Sequence, residues 1–144
     1  MIDGMSRLIL GTAQLGMDYG IANTSGKPGE ELSLDIIKTA LRAGITVFDT
    51  ASSYGDSEDM LGRFLSKEKD LVKGEVEIVS KLPKIGPSLD IDLEGILNII
   101  REHVLGSIKR LGVDKIDVYL LHDAENIESH SGNVVSKLPD ISML

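Results

Sequence analysis

The chain has 144 residues and a mass of 15.6 kDa, enough for one domain with a buried core. Its net charge of −8 argues against nucleic acid or an anionic membrane as a partner, because both bind basic surfaces. It has no cysteine and no apolar run near the roughly 20 residues of a membrane span, so we expect a cytoplasmic protein without disulfides or thiolate metal sites.

Strand-like and helix-like patterns alternate along the chain without a clear linker. The predicted elements are, in order, a strand at 7–11, an irregular Gly-rich stretch at 12–29, a helix at 33–43, a strand at 45–48, a helix at 57–65, a strand at 76–80, a helix at 92–111 and a strand at 116–121. Ser33 is a suitable N-cap for the first long helix, and Gly44 and Gly112 stand where helices commonly end. A further helix could begin within 127–138.

Apolar strands that alternate with helices predict an α/β fold with a parallel sheet. Two closures of that sheet are open at this point. A doubly wound open sheet usually has a G-x-G-x-x-G loop that leads directly into a helix, whereas this chain has GTAQLG at 11–16 and about sixteen residues before its helix. An eight-stranded (β/α)8 barrel takes roughly 250 residues, and this chain supplies half of the strands.

Polar residues stand at the ends of three of the predicted strands. Asp49 follows ITVF, Lys81 follows VEIVS, and His122 follows IDVYLL, while Tyr54 lies in the turn five residues after Asp49. Because the carboxyl ends of parallel strands open on one face, these four side chains are expected to converge. Each also has an ordinary structural interpretation, such as a turn cap at Asp49 or a lysine that only reaches solvent at Lys81.

Three segments together resemble the aldo-keto reductase family. They are the pattern DTAxxYGxSExxLG at 49–62, the helix-to-strand segment SIKRLGVDKID at 107–117, and GTA at 11–13. The resemblance extends from about Leu8 to His122. It implies a (β/α)8 TIM-barrel fold of which residues 1–144 form the N-terminal half, with about the first four βα units.

The resemblance also implies the chemistry, which is the reduction of an aldehyde or ketone to an alcohol with NADPH. Tyr54 is expected to be the general acid. A phenol is a weak acid at neutral pH, so the ammonium of Lys81 is needed to stabilise the phenolate, and Asp49 is expected to hold that ammonium. His122 is expected to donate a hydrogen bond to the substrate carbonyl, which stabilises the developing oxyanion.

The same resemblance implies where the cofactor binds. Gly11, Thr12 and Ala13 match the family segment that lies against the nicotinamide end, and Asp49 is expected close to the nicotinamide ribose. In the family, most contacts to the pyrophosphate, adenosine and 2′-phosphate come from four later βα units, and the motifs quoted above stop at His122.

Two other functions stay open. A metal hydrolase could use Asp49, His122 and Asp123 as ligands, although no second histidine follows at a ligand spacing. The chain could instead be a truncated, non-catalytic relative that acts as an interaction or regulatory subunit, or a remnant. Half a barrel leaves two strand edges and one sheet face uncovered, so we expect self-association or pairing with a C-terminal half.

Overall fold

The computed structural model describes residues 8–72, 76–84 and 93–123. Its elements are β1 (Ile9–Gly11), α1 (Ala13–Gly16), α2 (Glu30–Arg42), β2 (Val47–Asp49), α3 (Ser57–Lys67), α4 (Lys69–Val72), β3 (Glu77–Leu82), α5 (Leu93–Leu111) and β4 (Val118–Leu121). No helix within these ranges is long and apolar enough to cross a membrane.

The four strands form one parallel sheet in the order β1-β2-β3-β4. Consecutive strands are therefore neighbours, and each returns to the same end of the sheet through a helical connection. The register pairs Gly11 with Asp49, Asp49 with Val79, and Lys81 with Leu120. Since side chains alternate along a strand, these residues all lie on one face of the sheet. The predicted parallel α/β sheet is confirmed.

The other face of the sheet packs against the long helices and forms the main core. Its centre is a set of buried apolar residues: Leu15, Ile37, Phe48, Met60, Leu61, Phe64, Ile78 and Leu111. Burial of each large apolar side chain contributes roughly 1.5–3 kcal/mol. A second cluster of Leu82, Ile96 and Ile100 packs α5 against the end of β3. The core thus holds the strands in place on the face that packs against the helices. The polar side chains of Asp49 and Lys81 lie on the opposite face.

The face opposite the helices is covered in its centre and exposed at its sides. Val47 and Val79 on the central strands are buried, whereas Ile9 on β1 is 52% exposed and Leu120 on β4 is 43% exposed. The expectation that this whole face is uncovered is therefore wrong for the two central strands. It holds for the outer strands, whose apolar side chains remain in solvent.

Several element boundaries differ from the sequence prediction. Helix α2 begins at Glu30 rather than Ser33, with Gly29 as its N-cap, and the Ser33 hydroxyl donates to the Gly29 carbonyl at 3.0 Å within the first turn. The stretch predicted as irregular contains α1, and α4 was not predicted at all. The helix predicted within 127–138 lies outside the described residues.

Candidate active site

The centre of the candidate site is an ion pair between neighbouring strands. Asp49 is the last residue of β2, and Lys81 is the last but one of β3, so both lie within strands rather than beyond them. Lys81 Nζ donates to Asp49 Oδ1 at 2.6 Å and to the Thr50 carbonyl at 3.1 Å. The lysine side chain is 12% exposed and the aspartate 30%, so the pair is shielded but reachable from solvent. Such a charge-assisted pair fixes the position of the ammonium.

Tyr54 lies against this ammonium. Lys81 Nζ is 5.0 Å from the centre of the Tyr54 ring, within the range of a cation–π interaction. The turn that carries the tyrosine is fixed by the Tyr54 N–H, which donates to the Ala51 carbonyl at 3.0 Å. Across the three described ranges, the Tyr54 hydroxyl makes no hydrogen bond. The phenol is therefore held by its ring, and no described residue hydrogen-bonds to its oxygen.

A close approach of two glycines sets the position of the Tyr54 turn. Gly55 has a φ of +60°, a conformation that glycine adopts without steric penalty. A Cβ atom at Gly55 would lie 2.2 Å from the Gly16 carbonyl oxygen, and one at Gly16 would lie 1.9 Å from the Tyr54 carbonyl oxygen. The backbones of the two loops can only meet because neither residue has a side chain. The end of α1 thereby holds the turn in place.

His122 follows β4 directly and completes the group of four predicted side chains. Its backbone N–H donates to the Leu82 carbonyl at 3.1 Å, which extends the strand pairing by one residue. Its ring meets the Tyr54 ring edge-on, with centroids 5.4 Å apart and an interplanar angle of 85°. The Ser53 hydroxyl lies 2.9 Å from His122 Nδ1. The structure thus brings Asp49, Tyr54, Lys81 and His122 together at the carboxyl end of the sheet.

Behind Asp49 lies a buried group of hydroxyls, Thr12, Thr50 and Ser57, which we call the hydroxyl cluster. Ser57 Oγ is 2.6 Å from Thr12 Oγ1 and 3.1 Å from Thr50 Oγ1. The Thr12 hydroxyl and N–H both donate to the Asp49 carbonyl, at 3.0 and 2.9 Å. The cluster joins the loop after β1, the end of β2 and the start of α3, and so supports the backbone of Asp49 from behind.

The sequence prediction included Thr12 as a cofactor contact but gave no role to Thr50, Ser57 or Ser53. All three lie in or beside the motif around Tyr54. Hydroxyl side chains so close in sequence to the predicted general acid could have indicated that these residues take part in the site. Their partners lie far away along the chain, as with the 69 residues between Ser53 and His122. Only the folded structure shows these contacts.

The residues predicted to contact a cofactor differ in their accessibility. Gly11 is exposed, and a Cβ atom there would meet nothing within 4 Å, so a ligand can approach its backbone beside Asp49. Asp49 Oδ2 accepts no hydrogen bond from the described part of the chain. Ala13 is half-buried, while Thr12 is fully buried. An open backbone next to an available carboxylate oxygen fits a hydroxylated ring such as a ribose.

The alternative metal site is not formed. Within 8–72, 76–84 and 93–123, no three histidine or carboxylate side chains lie close enough together to hold a metal ion. Asp49 is instead paired with Lys81, and His122 with Ser53.

Comparisons with known proteins agree with the arrangement of these residues. Residues 7–140 match the model of the aldo/keto reductase family, so the similarity continues beyond His122, where the motifs quoted above stop. The NADH-specific methylglyoxal reductase of Escherichia coli is 35% identical over 132 residues, which cover 82% of this chain and 38% of that protein. The D-arabinose 1-dehydrogenase of Saccharomyces cerevisiae is 31% identical over 138 residues, which cover 95% of this chain and 36% of that protein.

Solved structures show the same relationship. A crystal structure from Pseudomonas aeruginosa, assigned to the aldo-keto reductases, superposes with a TM-score of 0.67 and 30% identity over 92% of this chain and 49% of that one. A Bombyx mori aldo-keto reductase in complex with NADP gives a TM-score of 0.58 at 25% identity, over 79% of this chain and 33% of that one. The chain thus spans between a third and a half of the length of these relatives and has the parallel α/β architecture of their (β/α)8 barrels. From its family match and its fold, the chain belongs to the aldo/keto reductase family.

Proposed function

We propose that this chain carries the catalytic residues of a reductase that converts an aldehyde or ketone to an alcohol, and that it forms the N-terminal half of the enzyme's barrel. The observation that carries the proposal is the Lys81 ammonium, which lies between the Asp49 carboxylate at 2.6 Å and the Tyr54 ring at 5.0 Å. A tyrosine can act as a proton donor at neutral pH when an ammonium lies beside its phenol and a carboxylate holds that ammonium in place.

The proposed reaction divides the work among the four side chains. A nicotinamide cofactor bound beside Gly11 and Asp49 would supply hydride to the carbonyl carbon. As charge develops on the carbonyl oxygen, Tyr54 donates its phenolic proton to that oxygen. The positive charge of Lys81 stabilises the phenolate left behind, and Asp49 keeps the ammonium in place. His122 donates a hydrogen bond to the same oxygen and thereby orients the carbonyl.

We propose NADPH as the cofactor, with the backbone at Gly11–Ala13 against the nicotinamide end and Asp49 at the ribose. The Bombyx mori relative in complex with NADP supports this choice, whereas the Escherichia coli relative is named as NADH-specific. Because Thr12 is buried and hydrogen-bonded to the Asp49 carbonyl, its proposed contribution is to place Asp49 rather than to touch the cofactor with its side chain. Parallel titrations of NADPH and NADH, measured by isothermal titration calorimetry, decide between the two cofactors.

A second candidate function follows because this chain covers only part of the length of its relatives. The chain spans 36–38% of the Escherichia coli and yeast proteins, so catalysis is expected to need further βα units from the same or another chain. If none are supplied, the candidate is a non-catalytic subunit that pairs through the exposed sides of its sheet. A folded protein without measurable affinity for NADPH or NADH would favour this second candidate.

The experiment that tests the main proposal is Tyr54→Phe in the full-length enzyme, with all of its βα units present, and the assay is NADPH-dependent reduction of methylglyoxal and of a panel of aldehydes and ketones. Loss of the general acid should lower kcat by about 10²- to 10⁴-fold, while the Kd for NADPH stays within about twofold. Tyr19→Phe is the matched control, because Tyr19 is an exposed tyrosine of the loop after α1. A Tyr54→Phe protein that retains its kcat would show that another group is the acid.

A further inference from the structure

We propose that Ser53 is a positioning residue that selects the tautomer of His122, an inference that rests on the proposed function. Ser53 precedes Tyr54 in the turn between β2 and α3, and its hydroxyl lies 2.9 Å from His122 Nδ1. The distance is that of a normal hydrogen bond. Within the described ranges, no other group hydrogen-bonds to the imidazole ring.

The direction of this hydrogen bond determines what the other ring nitrogen can do. A neutral imidazole has one N–H donor and one acceptor nitrogen. If Ser53 donates to Nδ1, the proton must be on Nε2, and Nε2–H becomes a donor. If Ser53 instead accepts from Nδ1–H, then Nε2 presents a lone pair. A lone pair repels a carbonyl oxygen, so only the first arrangement allows His122 to orient the substrate.

Two further contacts make this selection effective by restricting the ring. The His122 backbone is held by the Leu82 carbonyl, and its ring packs edge-on against Tyr54 at 5.4 Å. With the backbone and one side of the ring fixed, the hydroxyl on Nδ1 defines the direction of Nε2. Ser53 therefore contributes the orientation of the ring as well as its tautomer, and it acts through His122.

The test is a measurement of the His122 tautomer by two-bond ¹H–¹⁵N correlation NMR on the chain with ¹⁵N-labelled histidine. The chain has three histidines, and the spectrum of His122→Asn identifies the signal of His122. We expect the Nε2–H tautomer in the unmodified chain. Ser53→Ala should shift the tautomer ratio toward Nδ1–H by about fivefold, the effect of one ordinary hydrogen bond. Ser53→Thr, which keeps a hydroxyl, should restore the ratio.

The matched control is Ser52→Ala, the adjacent serine of the same turn. The Ser52 hydroxyl is buried and has no hydrogen-bond partner in the described part of the chain. Its removal should leave the His122 signals unchanged, so a shift common to both alanine variants would indicate a disturbed turn and overturn the proposal. The proposal is also overturned by an Nδ1–H tautomer in the unmodified chain, or by a ratio that does not respond to Ser53→Ala.

This result is separable from the proposed function, because the tautomer is read without turnover. Where turnover is measured, Ser53→Ala should lower kcat/KM about fivefold at unchanged NADPH affinity, and Ser53→Thr should recover most of it. If Tyr54→Phe keeps its kcat while the tautomer depends on Ser53, the proposed function fails and the positioning of His122 stands. If Tyr54→Phe loses its kcat while the tautomer does not respond to Ser53→Ala, the proposed function stands and the positioning role of Ser53 fails.

Discussion

Glu58 buries a carboxylate where helix α3, strand β3 and helix α5 meet. The residue is 1% exposed. Its Oε1 accepts from the Ser80 hydroxyl at 2.6 Å, and its Oε2 accepts from Arg110 Nε at 2.7 Å. Glu58 is the second residue of helix α3, and the partial positive charge of the helix N-terminus also favours a carboxylate at this position. A buried carboxylate with both oxygens hydrogen-bonded is stable only while every partner is present.

We predict that Glu58→Ala lowers the free energy of unfolding by about 2 to 4 kcal/mol, as measured by urea denaturation. Ser80 is fully buried and would lose its acceptor, while the Arg110 side chain is 36% exposed and can turn to water. The control is Glu30→Ala, which removes an exposed carboxylate paired with Arg63 and Lys67 and should leave stability nearly unchanged. Equal effects of the two substitutions would refute the importance of the buried network.

Asp117 gives the chain a component of stability that depends on pH. Burial raises the pKa of the Asp117 carboxyl, but hydrogen bonds from Lys115 at 2.6 Å and from the Ile78 N–H at 2.9 Å, together with the charge of Lys115, lower it by more. The pKa in the folded chain therefore lies below the usual value. This carboxylate contributes stability that is fully present above the unfolded pKa of about 4 and is lost as the pH falls through the lower folded value.

We accordingly predict that Asp117→Asn reduces the acid sensitivity of the chain. The decrease in the free energy of unfolding between about pH 5 and about pH 3 should be smaller in the variant than in the unmodified chain. Lys115→Gln should act in the same direction, because it removes one of the partners that lower the pKa. Urea denaturation at a series of pH values measures both. Identical pH profiles for the three proteins would contradict this account.

At the residue scale, the sequence predicted which side chains meet at the carboxyl end of the sheet better than which side chains support them. Asp49, Lys81 and His122 could be found because each ends an apolar run, and the order of parallel strands places such ends together. The contact of Ser53 with His122 could not be found, since the two residues are 69 positions apart and their contact depends on the turn geometry. Serine and threonine are common in any loop, so the sequence does not indicate which of their hydroxyls form supporting hydrogen bonds.

Between elements, helix α3 lies directly against the end of helix α5 at Gly62. A Cβ atom at Gly62 would lie 2.4 Å from the Arg110 carbonyl oxygen and 2.9 Å from that of Leu111. Both atoms belong to the backbone at the end of α5, so neither can move without shifting the helix. The glycine in the LG pair at 61–62 is therefore required by helix packing rather than by flexibility.

We predict that Gly62→Ala destabilises the chain by about 2 kcal/mol or more, because the two helices must separate to accommodate one methyl group. Gly106→Ala on α5 is the control. A Cβ atom there first meets the tip of the Arg110 side chain at 3.2 Å, and alanine in a helix interior gains roughly 0.5–1 kcal/mol over glycine. Thermal unfolding followed by circular dichroism compares the two, and a neutral Gly62→Ala would disprove the close approach.

The strands and the long helices were predicted, and the two short helices were missed. Helix α5 was predicted within one residue, because its apolar residues recur at three and four and Gly112, with a φ of +64°, ends it. Helices α1 and α4 have only four residues each, too few for any period to be recognised. Helix α2 began earlier than expected because Gly29, with no side chain to signal a cap, served as its N-cap.

For the whole molecule, the decisive feature is a parallel sheet whose two outer strands each pair with one neighbour among the described strands. Within the described residues, β1 and β4 therefore each have one edge that no other strand covers. The apolar side chains of Ile9 and Leu120 lie exposed at these edges, on the same face as Asp49 and Lys81. The sequence indicated four strands of a parallel sheet by their alternation with helices, but it did not show that the apolar side chains of the central strands would be buried on this face.

We predict that the purified chain associates through these edges, with a mass above 15.6 kDa that rises with concentration in light scattering after gel filtration. Leu120→Lys places a charge on the exposed edge and should raise the concentration at which association begins by about tenfold. Leu105→Lys is the control, because Leu105 is equally apolar and 57% exposed but lies on helix α5.

The net charge of −8 opposes association of two copies, so added salt should strengthen the association of the unmodified chain. A constant mass of 15.6 kDa at all concentrations would mean that the edges are already protected within the chain, and that no second copy or partner is needed to cover them.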